Sequence, residues 1–350
     1  MEKINVMVVF GGKSGEHEVS LMSATSILKV MDSQKYNVMK VGITKKGIWK
    51  RYDGPIDNIP TGEWENLATD EEIISLGKDT PQKIDVVLPV LHGPFGEDGT
   101  IQGLLEMLDI PYVGAGVLAS SVGMDKAITK KLCSSEEIPQ AQYIPMLHKE
   151  YKEKEIDYIE AIEEKLGYPV FVKPANLGSS VGISKAKDRQ RLIEAIGLAF
   201  QYDRKIVVEE FINGREIECS VLGNDEPKAS LPAEIIPSNE FYDYKDKYFD
   251  GTSSFQIPAD LPEELTEEIR ELSLQVYKLL DCCGLARVDF FVERETNKIY
   301  FNEINTMPGF TKISMYPKMW EVTGLPYEAL IDELIVLAIE RFQERPQGHQ

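Results

Sequence analysis

Lys173 closes the apolar run Val170-Phe171-Val172, and Pro174-Ala175-Asn176-Leu177-Gly178-Ser179-Ser180-Val181-Gly182 follows it. A lysine at a strand end with a glycine-serine loop behind it outlines a phosphate cradle. The loop N–H groups can chelate oxygens, and the ammonium adds a point charge. The same stretch reads equally well as a flexible turn between two strands. A second set lies in Ala286-Arg287-Val288-Asp289-Phe290 and Tyr300-Phe301-Asn302-Glu303-Ile304-Asn305. Side chains alternate along strands, so Arg287 and Asp289 share one face, as do Glu303 and Asn305, while Val288, Phe290 and Ile304 turn toward a core. Asp289, Glu303 and Asn305 then form an all-oxygen set suited to Mg²⁺ beside phosphates. The rival reading is a surface salt-bridge network. It leaves unexplained the turn Thr306-Met307-Pro308-Gly309-Phe310 that follows at once, where a glycine lets backbone approach a substrate.

Two other glycine loops carry less. Gly12-Lys13-Ser14 resembles the end of a P-loop, but that fingerprint needs a glycine where Met7 stands inside an apolar strand. Gly114-Ala115-Gly116-Val117-Leu118-Ala119 matches a dinucleotide-binding pattern. The strand before it is very short and contains Pro111, and Glu136 and Glu137 further on sit in a polar stretch, so a plain tight turn explains it.

The elements that must position these residues alternate. Apolar runs at 6–10, 38–43 and 84–91 read as strands, with helices at 19–30, 100–108 and 118–131. This is a parallel α/β unit over the first third, with its ligand loops at strand C-termini. A helix at 157–166, strands at 170–173, 181–184 and 206–210, and a helix at 188–200 form a small α+β unit. A strand at 216–222, a polar aromatic loop at 238–254, a helix at 262–280, a hairpin at 285–293 and 299–305, and a helix at 327–342 make the third. The expected domains are 1–120, 121–213 and 214–350, in line with a length of 350 residues. A net charge of −20 argues against nucleic acid as partner, though local lysines can still invert the field for a phosphorylated ligand. No apolar run is long enough to span a membrane and no export signal is evident, so a cytoplasmic protein is expected. The four cysteines lack Cys-x-x-Cys spacing, with Cys282 and Cys283 adjacent in a helix-like stretch, and read as reduced buried hydrophobes.

The lysine–glycine-serine loop together with the carboxylate hairpin resembles the ATP-grasp superfamily. The resemblance narrows with Gly11-Gly12-Lys13-Ser14-Gly15-Glu16-His17-Glu18-Val19-Ser20, His92-Gly93-Pro94-Phe95-Gly96-Glu97-Asp98-Gly99, Met124-Asp125-Lys126 and Phe241-Tyr242-Asp243-Tyr244-Lys245-Asp246-Lys247-Tyr248. These look like signatures of the D-alanine–D-alanine ligase family, in the same order and spread over almost the whole chain. The resemblance implies a three-domain α/β protein whose parallel N-terminal domain precedes two α+β subdomains clamping ATP. It implies ligation of two D-alanines through a D-alanyl phosphate, for peptidoglycan precursors, by a homodimer using Mg²⁺ or Mn²⁺ as two ions. By the same resemblance, Lys126 and Lys173 hold ATP phosphates and Lys247 approaches the transferring phosphoryl group. Glu209 and Glu216 bind adenosine, and Asp289, Glu303 and Asn305 ligate the metal. Glu16 takes the first ammonium, Arg287 and the Gly309 amide stabilise the oxyanion, and His92 and Ser314 meet substrate. Ser179 and Tyr248 complete a hydrogen-bonded set with Glu16.

The chain departs from some relatives at Lys312-Ile313, where they carry Ser-His before the final serine. Close rivals are relatives taking D-serine or D-lactate second. The Tyr-Asp-Tyr…Lys-Tyr loop is absent from D-lactate enzymes, and Met315 stands where D-serine relatives tend to place arginine. A non-catalytic ATP-binding module and a nicotinamide-dependent oxidoreductase stay open as other classes. His17, His148 and His349 read as surface histidines.

Overall fold

The computed structural model describes residues 2–69, 83–178, 181–236 and 254–345. Strand β1 (Ile4–Gly11) is apolar on both faces and therefore has to be internal. After α1 (His17–Val30) come β2 (Tyr36–Ile43), β3 (Trp49–Arg51), α2 (Trp64–Leu67), β4 (Val86–Val90) and α3 (Thr100–Met107). The sheet order is β3-β2-β1-β4, with β1 parallel to both neighbours and β3 an antiparallel edge. Val6, Val8 and Phe10 pack with Leu21, Ala24 and Ile27 of α1 on one face, while Met7 and Val9 pack with Ile101 and Leu105 of α3 on the other.

The single helix expected at 118–131 is two, α4 (Val117–Met124) and α5 (Lys126–Ser135). The break is Asp125, whose backbone is extended and whose carboxylate accepts from the amides of Ala127 at 3.1 Å and Ile128 at 3.2 Å. An N-cap thus restarts the helix, and Lys126 becomes its first residue.

β5 (Tyr143–Leu147), α6 (His148–Glu153), α7 (Glu155–Lys165), β6 (Val170–Pro174), β7 (Ser184–Ala186), α8 (Arg189–Ala199) and β8 (Lys205–Glu210) form the second unit. Its sheet is antiparallel in the order β5-β8-β6-β7. The strand expected at 181–184 starts only at Ser184, because Gly182 takes φ +73°, which an extended ladder does not accommodate. The loop behind Lys173 is longer for it.

The third unit contains β9 (Gly214–Leu222), β10 (Lys228–Ala229), β11 (Ala233–Ile236), β12 (Ser254–Gln256), α9 (Glu263–Leu279), β13 (Leu285–Glu293), β14 (Ile299–Asn305), α10 (Met315–Thr323) and α11 (Tyr327–Gln343). The strand order is β12-β11-β9-β13-β14, with β10 paired to β9. Ile269, Val276 and Tyr277 of α9 pack with Ile217, Cys219, Val288 and Phe290, and Ala115, Ala119 and Cys133 from the α4–α5 region join the same core. Cys282 and Cys283 follow the end of α9 rather than lying within a helix, since that helix stops at Leu279. Cys133, Cys219 and Cys282 are buried free thiols.

Leu330, Ile331, Leu334 and Ile335 of α11 return to the first sheet and share a core with Val6, Val8, Phe10 and Val90. This return brings the turn after β14 onto the loops that follow β1 and β4. Among the described residues no helix is long and apolar enough to cross a membrane.

Candidate active site

The loops at the C-terminal ends of β1 and β4 interlock. Ser14 Oγ donates to the His92 carbonyl at 2.6 Å and accepts from the Glu16 amide at 3.2 Å. Gly93 has φ +72°, a conformation that favours glycine, and a Cβ placed there would stand 2.5 Å from Glu16 Oε2. A Cβ on Gly178 would be 3.4 Å from that same oxygen. The Glu16 carboxylate therefore lies between the His92 loop and the glycine-serine loop.

His92 is buried. Its Nδ1 is 3.1 Å from the Met307 carbonyl and its Nε2 is 2.9 Å from Ser23 Oγ. Glu97 Oε1 is 3.7 Å from Nδ1. Burial disfavours the imidazolium, but the hydrogen bond and charge of Glu97, with the charge of Glu16 behind it, prevail and raise the His92 pKa.

The metal-type residues sit on paired strands. Asp289 of β13 faces Glu303 of β14, and Arg287 faces Asn305, with a register shift directly after Asp289. Such an irregularity twists the strand and re-aims side chains. Arg287 donates through Nε to Asp289 Oδ1 at 2.8 Å and through Nη2 to Oδ2 at 2.7 Å. Asn305 Nδ2 donates to Asp289 Oδ2 at 2.9 Å. Lys126 Nζ donates to the Leu177 carbonyl at 2.9 Å and lies 3.2 Å from Glu303 Oε2. Arg287 also lies 3.1 Å from Glu218 Oε2 on the neighbouring strand β9.

Behind these, Lys173 Nζ donates to Glu209 Oε2 at 2.8 Å and to Asn302 Oδ1 at 3.3 Å. Lys130 Nζ faces Glu209 Oε1 at 3.4 Å and the Tyr143 ring at 5.4 Å, without the geometry of a hydrogen bond. Burial opposes ionisation of Glu209, but the ammonium groups of Lys130 and Lys173 outweigh it and hold the carboxyl below its ordinary value. Burial also pulls on both lysines. For Lys173 the charge and hydrogen bond of Glu209 win and its pKa rises, whereas Lys130, repelled by Lys173, falls. Half-buried Glu216 of β9 is near enough to add to the field on Lys173.

Glu16, His92, Arg287, Glu303, Gly309 and Ser314 line one cavity, with Asn305, Gly178 and Glu218 on its walls. Ser314 is the N-cap of α10, and its hydroxyl accepts from the Thr311 amide at 2.9 Å. Ile313, 47% exposed, forms an apolar wall with Phe255 and Met315. Ser179, Lys247 and Tyr248 lie outside the described residues, as do His349 and most of the 238–254 loop. Asp289, Lys126, Lys173 and Glu209 are buried outside that lining, around the hairpin and the cradle. His17 is a correction: it is 5% exposed, because the loop after β1 folds over the start of α1 and brings its Nδ1 to 2.7 Å from the Gly12 carbonyl. His148 is half-buried with its ring 4.7 Å from that of Phe200.

Three residues of this region escape a reading by motif. Glu218 alternates with Glu216 along β9, a signal visible only once the strand's paired face is known. Lys130 is one helical turn from Lys126, a spacing that could have been read. Ser23 carries no sequence signal.

A family profile described as D-ala D-ala ligase N-terminus matches residues 5–115, and one described as D-ala D-ala ligase C-terminus matches residues 132–336. The D-alanine–D-alanine ligase of Acetivibrio thermocellus is 54% identical, with 98% of each chain covered. That of Caldicellulosiruptor bescii is 54% identical over 99% of this chain and 98% of its own. Among solved structures, the D-alanine–D-alanine ligase from Coxiella burnetii matches with a TM-score of 0.86 at 39% identity, covering 98% of this chain and 96% of that one. The VanG D-Ala:D-Ser ligase from Enterococcus faecalis matches with a TM-score of 0.86 at 38% identity, covering 96% of this chain and all of that one.

A lysine cradle on one α+β unit facing a carboxylate hairpin on another makes this an ATP-grasp enzyme, a class that uses ATP and a divalent metal. Within that class, the chain belongs to the D-alanine–D-alanine ligase family. The oxidoreductase reading of 114–119 falls with this finding. Its local reason is plain: the Gly114 carbonyl accepts from Arg341 Nη1 at 2.5 Å in a packing seam.

Proposed function

We propose that this chain joins two D-alanines into D-alanyl-D-alanine, with ATP converted to ADP and phosphate. The supporting observation is that Glu16, Arg287, Gly309 and Ser314 open on one cavity next to Lys126 and the Asp289–Glu303 pair, in a chain matched end to end by ligases of that name. A carboxylate oxygen of the first D-alanine bonds to the γ-phosphorus as the β–γ bridging bond breaks and ADP leaves. The amine of the second D-alanine then attacks the acyl carbon, loses a proton, and the C–O bond to phosphate breaks. A free carboxylate resists amines, and the mixed anhydride removes that barrier.

Glu16 holds the first ammonium, and Lys126 and Lys173, with Lys247, hold the phosphates. Glu209 and Glu216 face adenosine. Arg287 and the Gly309 amide receive the oxyanion, where donors are most effective. Ser314, at the N-terminus of α10, holds the second carboxylate, helped by the helix end. His92 supports the loop that meets substrate, and Ser179 and Tyr248 are assigned to catalysis with Glu16. Among the described residues no three of His, Cys, Asp and Glu converge as a ready cage. Asp289, Glu303 and the Asn305 amide nonetheless offer hard oxygen donors on two adjacent strands, which fits Mg²⁺ or Mn²⁺. Two such ions, when bound, offset the charge of the moving phosphoryl group.

The reading includes domains at 1–120, 121–213 and 214–350 and a cytoplasmic homodimer. Exposed Leu104, Met107, Val117 and Leu118 on the adjoining helices α3 and α4 support the dimer. The test compares ADP release and dipeptide formation with D-alanine, L-alanine, D-serine and D-lactate as second substrate. No ADP with any D-amino acid overturns the reading, and faster product with D-serine moves the chain to the D-Ala:D-Ser branch.

A further inference from the structure

We infer that Ser23 is a positioning residue that sets the oxyanion loop in register with the ammonium site. The inference rests on the reading that the Gly309 amide receives the oxyanion. Ser23 lies seven residues beyond Glu16, about two turns along α1, and is fully buried. Its hydroxyl oxygen accepts from the Phe310 amide at 3.2 Å and bonds His92 Nε2 at 2.9 Å. His92 Nδ1 in turn reaches the Met307 carbonyl at 3.1 Å. Because a carbonyl only accepts, Nδ1 carries a proton. In the neutral ring Nε2 accepts from the Ser23 hydroxyl, and in the imidazolium it donates to it. The bridge stands in both states.

The consequence is a two-point clamp on the turn. Met307 and Phe310 flank Gly309, and both are tied, through His92 and directly, to one hydroxyl on the helix that begins at Glu16. These ties cross between segments 287 and 215 residues apart in sequence. The distance between ammonium site and oxyanion donor is therefore set by hydrogen bonds to Ser23. A displacement of about 1 Å at such a donor is enough to cost roughly a hundredfold in rate.

The experiment compares Ser23→Ala, Ser23→Thr and Thr25→Ala. Thr25 is the control, since its buried hydroxyl bonds only within α1, to the Leu21 carbonyl at 2.8 Å. Acyl phosphate formation is read by D-alanine-dependent exchange of ¹⁸O between the β–γ bridge and β-nonbridging positions of ATP, and the second step by dipeptide formation. In Ser23→Ala, kcat for dipeptide should fall about ten- to hundredfold, with isotope exchange, the KM for ATP and the thermal midpoint close to wild type. Ser23→Thr should recover most of the loss, and Thr25→Ala should match wild type. Dipeptide formation by Ser23→Ala at the wild-type rate overturns the inference, as do equal losses in both steps or an equal loss in Thr25→Ala. Absence of isotope exchange in the wild type overturns the functional reading, and this inference with it.

Discussion

Lys126 Nζ stands 3.2 Å from Glu303 Oε2 while donating to the Leu177 carbonyl, so one ammonium joins α5, the glycine-serine loop and β14. In the functional reading proposed above, a cation assigned to phosphate thus faces a carboxylate assigned to metal. The cluster thus carries its own counter-charge in a chain of net charge −20.

Glu303→Gln keeps the side-chain volume and removes the charge. Turnover should be lost and not restored by excess Mg²⁺, while the thermal midpoint changes little because Glu303 is partly exposed. Activity near wild type at ordinary Mg²⁺ concentrations would remove Glu303 from the metal set.

Arg287→Lys keeps the charge and loses the fork that grips Asp289 at two points. If Arg287 also receives the oxyanion, kcat should fall about a hundred- to thousandfold. Steady-state dipeptide synthesis measures this, and a change confined to KM would assign Arg287 to binding alone.

Glu209→Gln should destabilise the protein by about 3–5 kcal/mol, because it takes the carboxylate from the buried Lys173 ammonium that donates to it. Lys130→Met should be nearly neutral, since burial and Lys173 already disfavour the Lys130 charge. Urea midpoints of both variants decide the matter. The folded pKa of Glu209 lies below its ordinary 4.5, so its contribution is present above that value and is lost as pH falls through the folded pKa. The gap between wild type and Glu209→Gln should close accordingly in acid.

His92 titrates above its ordinary 6.5 because Glu97 and Glu16 outweigh burial. Its charged form therefore adds stability below pH 6.5 that is lost as pH rises through the folded pKa. Glu97→Gln should move the His92 midpoint down, as followed by NMR of the imidazole. An unmoved midpoint would show that Glu97, 3.7 Å away, does not govern the ring.

Much of this was legible along the chain. The hairpin of β13 and β14 follows from alternation, which places Val288 and Ile304 in the core and Arg287 and Asp289 together on the other face, but the irregularity after Asp289 that turns Phe301 into the same core as Ile304 was not legible. Local chemistry limited other readings: Asp125 capping split a helix, and the φ of Gly182 delayed a strand. Sequence by itself determined which residue types were present for phosphate and metal, because motifs record side chains within one segment. Tertiary structure alone decided that Ser23 bonds the Phe310 amide and His92, that Glu218 shares Arg287, and that α11 returns to the first sheet. Those contacts join segments far apart in the chain, and their partners are fixed only when packing of the separate cores has brought the surfaces together.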